Sequence, residues 1–253
     1  MINTLNESQL HKALKTFYAV QFSAQEEVQV ERWICDLVCP DGGIVEIQTK
    51  NVGALKEKVQ GLLKIGRRVT IVHPIIKEKI IESRLPGGGL VSRRKSPKKE
   101  SIYSELREFT GLKEFLLDKK LCVICPEISI EEKRIVLDQA QQSKNGRRRF
   151  KKAWQKEGKA LLTIGTSWKL CGKKDWLGLL PKEMLQAKKN RGKAAEPFSA
   201  ATVREMFLKN KETKAAAPYA NILLWLLRET GLIVRVPHSG RGYHYVWSRH
   251  ASL

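Results

Sequence analysis

Apolar residues along the first part of the chain fall into two spacings. Leu10, Leu14 and Phe17 repeat at helical spacing behind Asn6, a good capping residue, and predict a helix reaching about Tyr18. The stretch 28–38 reads as one extended run, and Asp41-Gly42-Gly43 is a hairpin signal that returns the chain as a strand over 44–49. Leu55, Val59, Leu62 and Leu63 share a face of an amphipathic helix over 52–65 that stops at Gly66. Arg-Val-Thr-Ile-Val-His over 68–73 is a further strand, ended by Pro74. The order up to this point is helix, strand, strand, helix, strand.

Strand patterns follow at 79–84 and 90–93, on either side of Pro86-Gly87-Gly88-Gly89, then a helix over 103–117 broken near Gly111, then an extended stretch over 122–130. Beyond Ile135 the pattern fades into a polar and then strongly basic stretch. Two short strands within 154–168, a helix over 175–186 and a linker at 188–193 complete that part. Pro197 opens another unit: a helix over 201–208, a Lys-rich turn over 209–214, a helix over 218–230 with Ile222, Leu223, Trp225 and Leu226 as its apolar surface, and a hairpin of 232–236 with 243–247. The divisions expected are 1–135, 136–195 and 196–253, with no internal repeat.

Charge changes the picture. The 253 residues carry 47 Lys+Arg against 26 Asp+Glu, a formal net charge of +21. Self-repulsion of that size favours an anionic partner, and nucleic acid leads because each neutralised phosphate releases condensed counterions. An acidic membrane surface or an acidic protein is the rival. There is no long apolar span and no signal-peptide pattern after Met1, so a cytoplasmic protein with no membrane association is expected. The five cysteines include Cys35/Cys39 and Cys122/Cys125, spacings that a zinc site could use. Both pairs sit in apolar runs, where free thiols behave as small buried hydrophobes, so reduced structural cysteines are expected. His73 and His244 lie in strand patterns and read as structural. Trp154 and Trp168 could stack on bases, but their strand setting reads as core.

The sharpest chemistry lies on the hairpin. Strand alternation puts Glu46, Gln48 and Lys50 on one face, and pairing across the Asp41–Gly43 turn brings Asp36 to the Glu46 end. Two carboxylates beside an amide and an amine can hold a hard divalent cation, which would polarise a phosphoryl oxygen. The plain alternative is a half-exposed hairpin with solvated acids.

This stretch resembles the PD-(D/E)XK, or restriction-endonuclease-like, nuclease superfamily, whose core runs helix, three strands, helix, strand. The resemblance implies an α/β fold with a mixed sheet flanked by helices. It implies Mg2+ or Mn2+ on Asp36 and Glu46, Glu7 as an additional acid, and Gln48 where the lysine of the motif usually stands. Gln48 would then orient water, with Lys50 as electrostatic support, since an amide cannot act as a base at neutral pH. A nuclease fold kept only for binding is the other outcome of that departure. The whole chain, including Glu46-Ile47-Gln48-Thr49 and the 93–98 tract, also resembles an uncharacterised bacterial family.

Arg93, Arg94, Lys95 and Lys98, with Arg147, Arg148 and Arg149, form dense cationic tracts that could track a phosphate backbone or could be solvated loops. The segment from 196 resembles a winged helix-turn-helix, a small α+β domain. That resemblance implies DNA contacts by Lys211, Lys214, Tyr219 and Asn221 at the second helix, and by His238, Ser239 and Arg241 at the wing. Winged helices also serve protein contacts. The expected function is a metal-dependent DNA endonuclease with a DNA-binding module. A non-catalytic DNA-binding regulator and an RNA-processing nuclease are the alternatives. Cutting both strands would favour a homodimer with two sites.

Overall fold

The computed structural model describes residues 8–142, 150–191, 196–240 and 242–249. Glu7, Arg147, Arg148, Arg149 and Arg241 lie outside the described residues.

Helix α1 (Gln9–Phe22) is capped by the Ser8 hydroxyl, which accepts from the His11 N–H, so the cap is two residues later than Asn6. The run expected as one strand over 28–38 is two: β1 (Gln25–Val30) and β2 (Trp33–Val38) pair antiparallel around a tight turn at Glu31, whose φ is 50°. No Gly or Pro marks that turn, which is why the sequence reads through it. β2 continues antiparallel into β3 (Ile44–Ile47) across the Asp41–Gly43 turn. A 3₁₀ turn (Val52–Leu55) and α2 (Lys56–Lys64) then cross over to β4 (Val69–Val72), parallel to β3. Helix, three strands, helix, strand is therefore the order of elements through residue 72.

β5 (Ile75–Arg84) resumes after His73-Pro74 and pairs with the edge strand β6 (Leu90–Lys95). α3 (Ile102–Glu105) runs into a 3₁₀ segment (Leu106–Leu112), which leads to β7 (Leu121–Gln141). Strands β4 and β5 follow one another along one edge of β7, both parallel to it, and β8 (Lys152–Leu170) runs antiparallel along the other edge. The expected boundary at 135 thus falls inside an unbroken strand. The segment 136–195, expected as an irregular connector with two short strands, supplies one strand of 19 residues. Register shifts along β8 break the two-residue alternation that would have revealed it. Cys122 and Cys171 are joined as a disulfide near the base of this pair, which corrects the expectation of five reduced thiols; Cys35 and Cys125 are buried and free, Cys39 half-buried and free.

The result is a mixed α/β structure whose sheet has helices on both faces. On one face α1 lays Leu10, Leu14 and Tyr18 against Leu37, Val45, Ile47, Val72, Ile128 and Ile130. On the other, Val59, Leu62, Ile102, Leu106, Phe109 and Leu112 cover Ile44, Val69, Ile71, Leu121 and Val123. At about 25 cal/mol per Å2 of apolar surface removed from water, these two layers carry most of the driving force.

Beyond β8 come α4 (Lys173–Leu177) and α5 (Lys182–Arg191), separated at Pro181 where one helix was expected. Then follow β9 (Phe198–Ser199), α6 (Ala200–Lys209), a 3₁₀ turn (Lys214–Tyr219), α7 (Ala220–Glu229), β10 (Ile233–Val236) and β11 (His244–Trp247). The last three strands form a separate sheet in the order β10-β11-β9. Lys188 of α5 stands 4.5 Å from the Trp247 ring centroid, which ties α5 to this unit. The unit is docked on the large sheet's helices: Phe207 meets Tyr103 edge-on at 5.4 Å, and Lys113 reaches both Glu229 and the Trp225 ring. No helix among the described residues is long and apolar enough to cross a membrane.

Candidate functional site

The β2–β3 ladder pairs Leu37 with Val45 and Val38 with Ile44, so one step further Asp36 stands opposite Glu46. There the backbone ladder gives way to side chains. The Asp36 N–H donates to Glu46 Oε1 at 3.3 Å, and the Ile47 N–H donates to Asp36 Oδ2 at 2.8 Å. Each carboxylate is thus pinned at the point where the strands separate, but only Asp36 lines the cleft that Gln48 and Lys50 also line, whereas Glu46, expected to share their face, does not.

Their surroundings differ. Asp36 opens onto a cleft, with His11 Nε2 3.5 Å from its Oδ2. Burial works against its charge, but the bonds from His11 and Ile47 and the nearby Lys58 ammonium hold the carboxyl below its usual range. Glu46 is 3% exposed. Burial pushes its carboxyl up to about 7 despite Lys58, whose Nζ lies 2.6 Å from Oε2; the Asp36 charge adds to the rise. Lys58, on α2, also donates to the Ile34 carbonyl at 2.6 Å. The ammonium beside Glu46 is therefore Lys58, whereas the sequence pointed to Lys50 as the supporting cation. A lysine on an amphipathic helix looks like any solvated face residue, so no local signal marked it.

Gln48 lines the cleft. Its Nε2 donates to the Lys50 and Asn51 carbonyls at 2.6 and 3.2 Å, which fixes the amide with Oε1 as its remaining acceptor. The Gln48 carbonyl meets His73 Nδ1 at 2.7 Å, and His73 Nε2 lies 3.3 Å from Glu105 Oε2. His73, 2% exposed, is therefore structural, a strut between β3 and α3. Lys50 lines the same cleft.

The cleft has a volume of about 730 Å3 and is bounded by the start of α1, the end of β3 and the middle of β8. β8 contributes Lys156 and Lys159, which the sequence reading placed in a connector. Burial draws the Lys159 ammonium down to about 8, with Lys156 and Lys50 adding to the fall. Lys15, 4% exposed, is answered by Glu27 at 2.7 Å.

Asp36 and Glu46 offer hard oxygen donors of the kind Mg2+ or Mn2+ takes, and the chemistry of the set fits such an ion. Glu46 Oε2 is already paired with Lys58. Among the described residues no three His, Cys, Asp or Glu side chains converge as a metal cluster. The zinc spacings are not assembled either. Cys122 is in the disulfide, and burial raises the Cys35 and Cys125 thiols above their ordinary range.

The other candidates are scattered. Arg93, Arg94 and Lys95 lie on the exposed edge strand β6. Arg93 pairs with Glu131 at 3.1 Å, Lys95 with Glu78 at 2.7 Å, and Lys98 with Glu100 at 3.7 Å. Trp154 is not core: Arg134 and Lys152 stand 3.6 and 4.4 Å from its ring centroid. Trp168 is 39% exposed and donates to Glu127 at 3.2 Å. Lys211, Lys214 and Asn221 are exposed and Tyr219 half-buried. Past Asn221, α7 is packed away, with Ile222 and Trp225 against the core. His238 and Ser239 are exposed at the tip of the β10–β11 pair, where the His238 and His244 rings lie 3.5 Å apart.

Residues 8–171, from the cap of α1 to the disulfide beyond β8, match the family described as Domain of unknown function (DUF8091). The chain belongs to this family. It is also 30% identical over 241 residues to an uncharacterized protein of Treponema pallidum (strain Nichols), a match covering 95% of this chain and 84% of that one. The similarity therefore extends past the family region into the C-terminal unit. No solved structure matches.

Proposed function

We propose that this protein is a metal-dependent nuclease of the restriction-endonuclease-like kind, acting on DNA. One observation carries the reading. Within an order of helix, three strands, helix and strand, an acid on the second strand and an acid on the third meet where the strands part, beside a lysine-walled cleft. Mg2+ or Mn2+ held by Asp36 and Glu46 would supply Lewis-acid polarisation of the phosphoryl oxygen. Gln48, its amide fixed through Nε2, would accept a hydrogen bond from the attacking water through Oε1. Water adds to phosphorus as the P–O bond to the leaving strand breaks, so one strand end keeps the phosphate and the other a hydroxyl. Lys58, beside Glu46, would be a further cation near the two acids. The element order from α5 through β11, with an antiparallel three-stranded sheet in the order β10-β11-β9, supports a winged helix, and its exposed tip and the exposed Asn221 in the first turn of α7 support DNA contact.

The Glu46–Lys58 ion pair favours a second reading, a nuclease-like fold that binds DNA without cutting it. Incubation with supercoiled, linear and branched DNA and with RNA, in Mg2+ or Mn2+, separates the two. Cleavage that is lost in Glu46→Ala while binding persists supports the enzyme. Binding without cleavage of any substrate moves the assignment to the regulator, and cleavage of RNA alone moves the substrate.

A further inference from the structure

We infer that Lys50, Lys156 and Lys159 form a phosphate-binding subsite on the cleft wall, beside but distinct from the Asp36–Glu46 pair. This deepens the nucleic-acid reading above and rests on it for where the phosphate comes from, not for whether a strand is cut.

The bulge in β8 builds the subsite. The β7–β8 register passes from Glu132↔Lys159 and Lys133↔Gly158 to Arg134↔Lys156, so Glu157 is the extra, unpaired residue. In an unbroken strand Lys156 and Lys159, three residues apart, would face opposite sides. With one residue looped out they are two ladder steps apart and share a face, the re-aiming that bulges perform beside functional sites. Lys50 reaches the same cleft from just beyond β3, and all three line it.

What the three ammoniums lack is an ion pair: Glu132 acts on Lys156 and Lys159, and Glu100 on Lys159, only from beyond ion-pair distance. The other charged groups of the wall are matched inside the fold, Lys15 with Glu27 and Asp36 with His11. Lys50, Lys156 and Lys159 make no ion pair or side-chain hydrogen bond among the described residues, and Glu157 is the one acid on the wall left to answer three cations. Mutual repulsion is large enough to draw down Lys156 and Lys159, on top of burial. A folded chain gains nothing from this crowding unless an anion arrives. Ammoniums are compact point charges with three donors each, suited to the several oxygens of a phosphate. The close approach of β8 to α1 fixes the spacing: a Cβ on Gly158 would lie 3.0 Å from Gln9 Oε1. The phosphate belongs either to a nucleic-acid backbone or to a free nucleotide or inorganic phosphate.

The test uses the full chain in EDTA, so that cutting plays no part. A labelled duplex oligonucleotide is titrated by fluorescence anisotropy at several salt concentrations, against wild type and Lys156→Ala/Lys159→Ala. Loss of two phosphate contacts predicts affinity at least about tenfold weaker and a log–log salt slope shallower by about 1.8. If the double variant misfolds by circular dichroism, exposed Lys156→Gln alone serves, with half that change in slope. Independently, Lys159 acylation at pH 8 is followed by mass spectrometry with and without inorganic phosphate, AMP or oligonucleotide. Protection by phosphate or AMP at constant ionic strength assigns a small-anion source, and protection by the oligonucleotide alone assigns the backbone. Unchanged affinity and slope together with no protection by any of the three overturns the subsite. Wild type that binds but never cuts with metal restored leaves the subsite standing and removes the nuclease reading instead.

Discussion

Replacing Glu46 with Gln gives the most direct test of how the buried acid is held. The side chain is 3% exposed, and its carboxyl titrates near 7 rather than 4.5, chiefly because burial penalises the charge. Between those two pH values the folded chain keeps a proton that the unfolded chain has released. Raising pH through this window therefore removes stability: the contribution is complete below 4.5 and lost as pH passes 7. Each unit of pKa is about 1.4 kcal/mol, so the whole contribution is about 3 kcal/mol. Glu46→Gln keeps the shape and cannot titrate. Relative to wild type, the variant should gain about 3 kcal/mol on going from pH 4.5 to pH 8, read from urea unfolding by tryptophan fluorescence across that range. Parallel pH–stability curves for the two proteins would refute the buried-proton account. If the pair also holds a divalent ion, Mg2+ at pH 8 should stabilise wild type and leave Glu46→Gln unmoved, because only ligands that bind the folded state shift unfolding.

Three further outcomes follow from packing. Lys113→Glu would set a like charge against Glu229 and remove the cation from the Trp225 ring; a red shift in tryptophan emission and faster proteolytic release of the C-terminal unit are expected, and an unchanged digest would show that the contact is not holding it. Gly111→Ala would place a Cβ 2.7 Å from the Gly53 Cα, backbone against backbone, and should cost about 1–3 kcal/mol in a denaturant melt; a loss under about 0.5 would mean that the two 3₁₀ segments shift freely. Thiol titration in denaturant should find three groups before reduction and five after, and five before reduction would remove the Cys122–Cys171 link.

How much was legible follows from which signals are local. The Asp41–Gly43 turn fixed the β2–β3 register, and register alone set Asp36 against Glu46. α1, α2, α6 and the last hairpin announced themselves by period and by Gly or Pro punctuation. The Glu31 turn did not, because a non-glycine residue takes the left-handed conformation there. β8 was hidden for a different reason: its register shifts break the alternation, and its lysines resemble a solvated tract. Lys58, Lys156 and Lys159 therefore became visible only when β8 and α2 were brought to the hairpin. Cys122, read as a reduced thiol, is bonded to Cys171, 49 residues on, a partner that strand pairing rather than spacing decides.

The location of unmatched charge bears on how nucleic acid would approach. On β6, Arg93 and Lys95 already face glutamates, and exposed pairs of this kind contribute about 0–1 kcal/mol and exchange readily for phosphates. They add attraction without fixing position. The cleft lysines are different, since none of them has an ion-pair partner among the described residues and the bulge holds two of them in register. α7 is the reverse case: past Asn221 its surface is spent on the core and on Lys113. A duplex reading bases through the length of that helix would first have to undock the unit, while one lying across the cleft would not. Lys113→Glu thus separates the two routes. If α7 reads DNA, releasing the unit should tighten binding. If the cleft is the main surface, affinity should stay with Lys156 and Lys159 and be indifferent to Lys113.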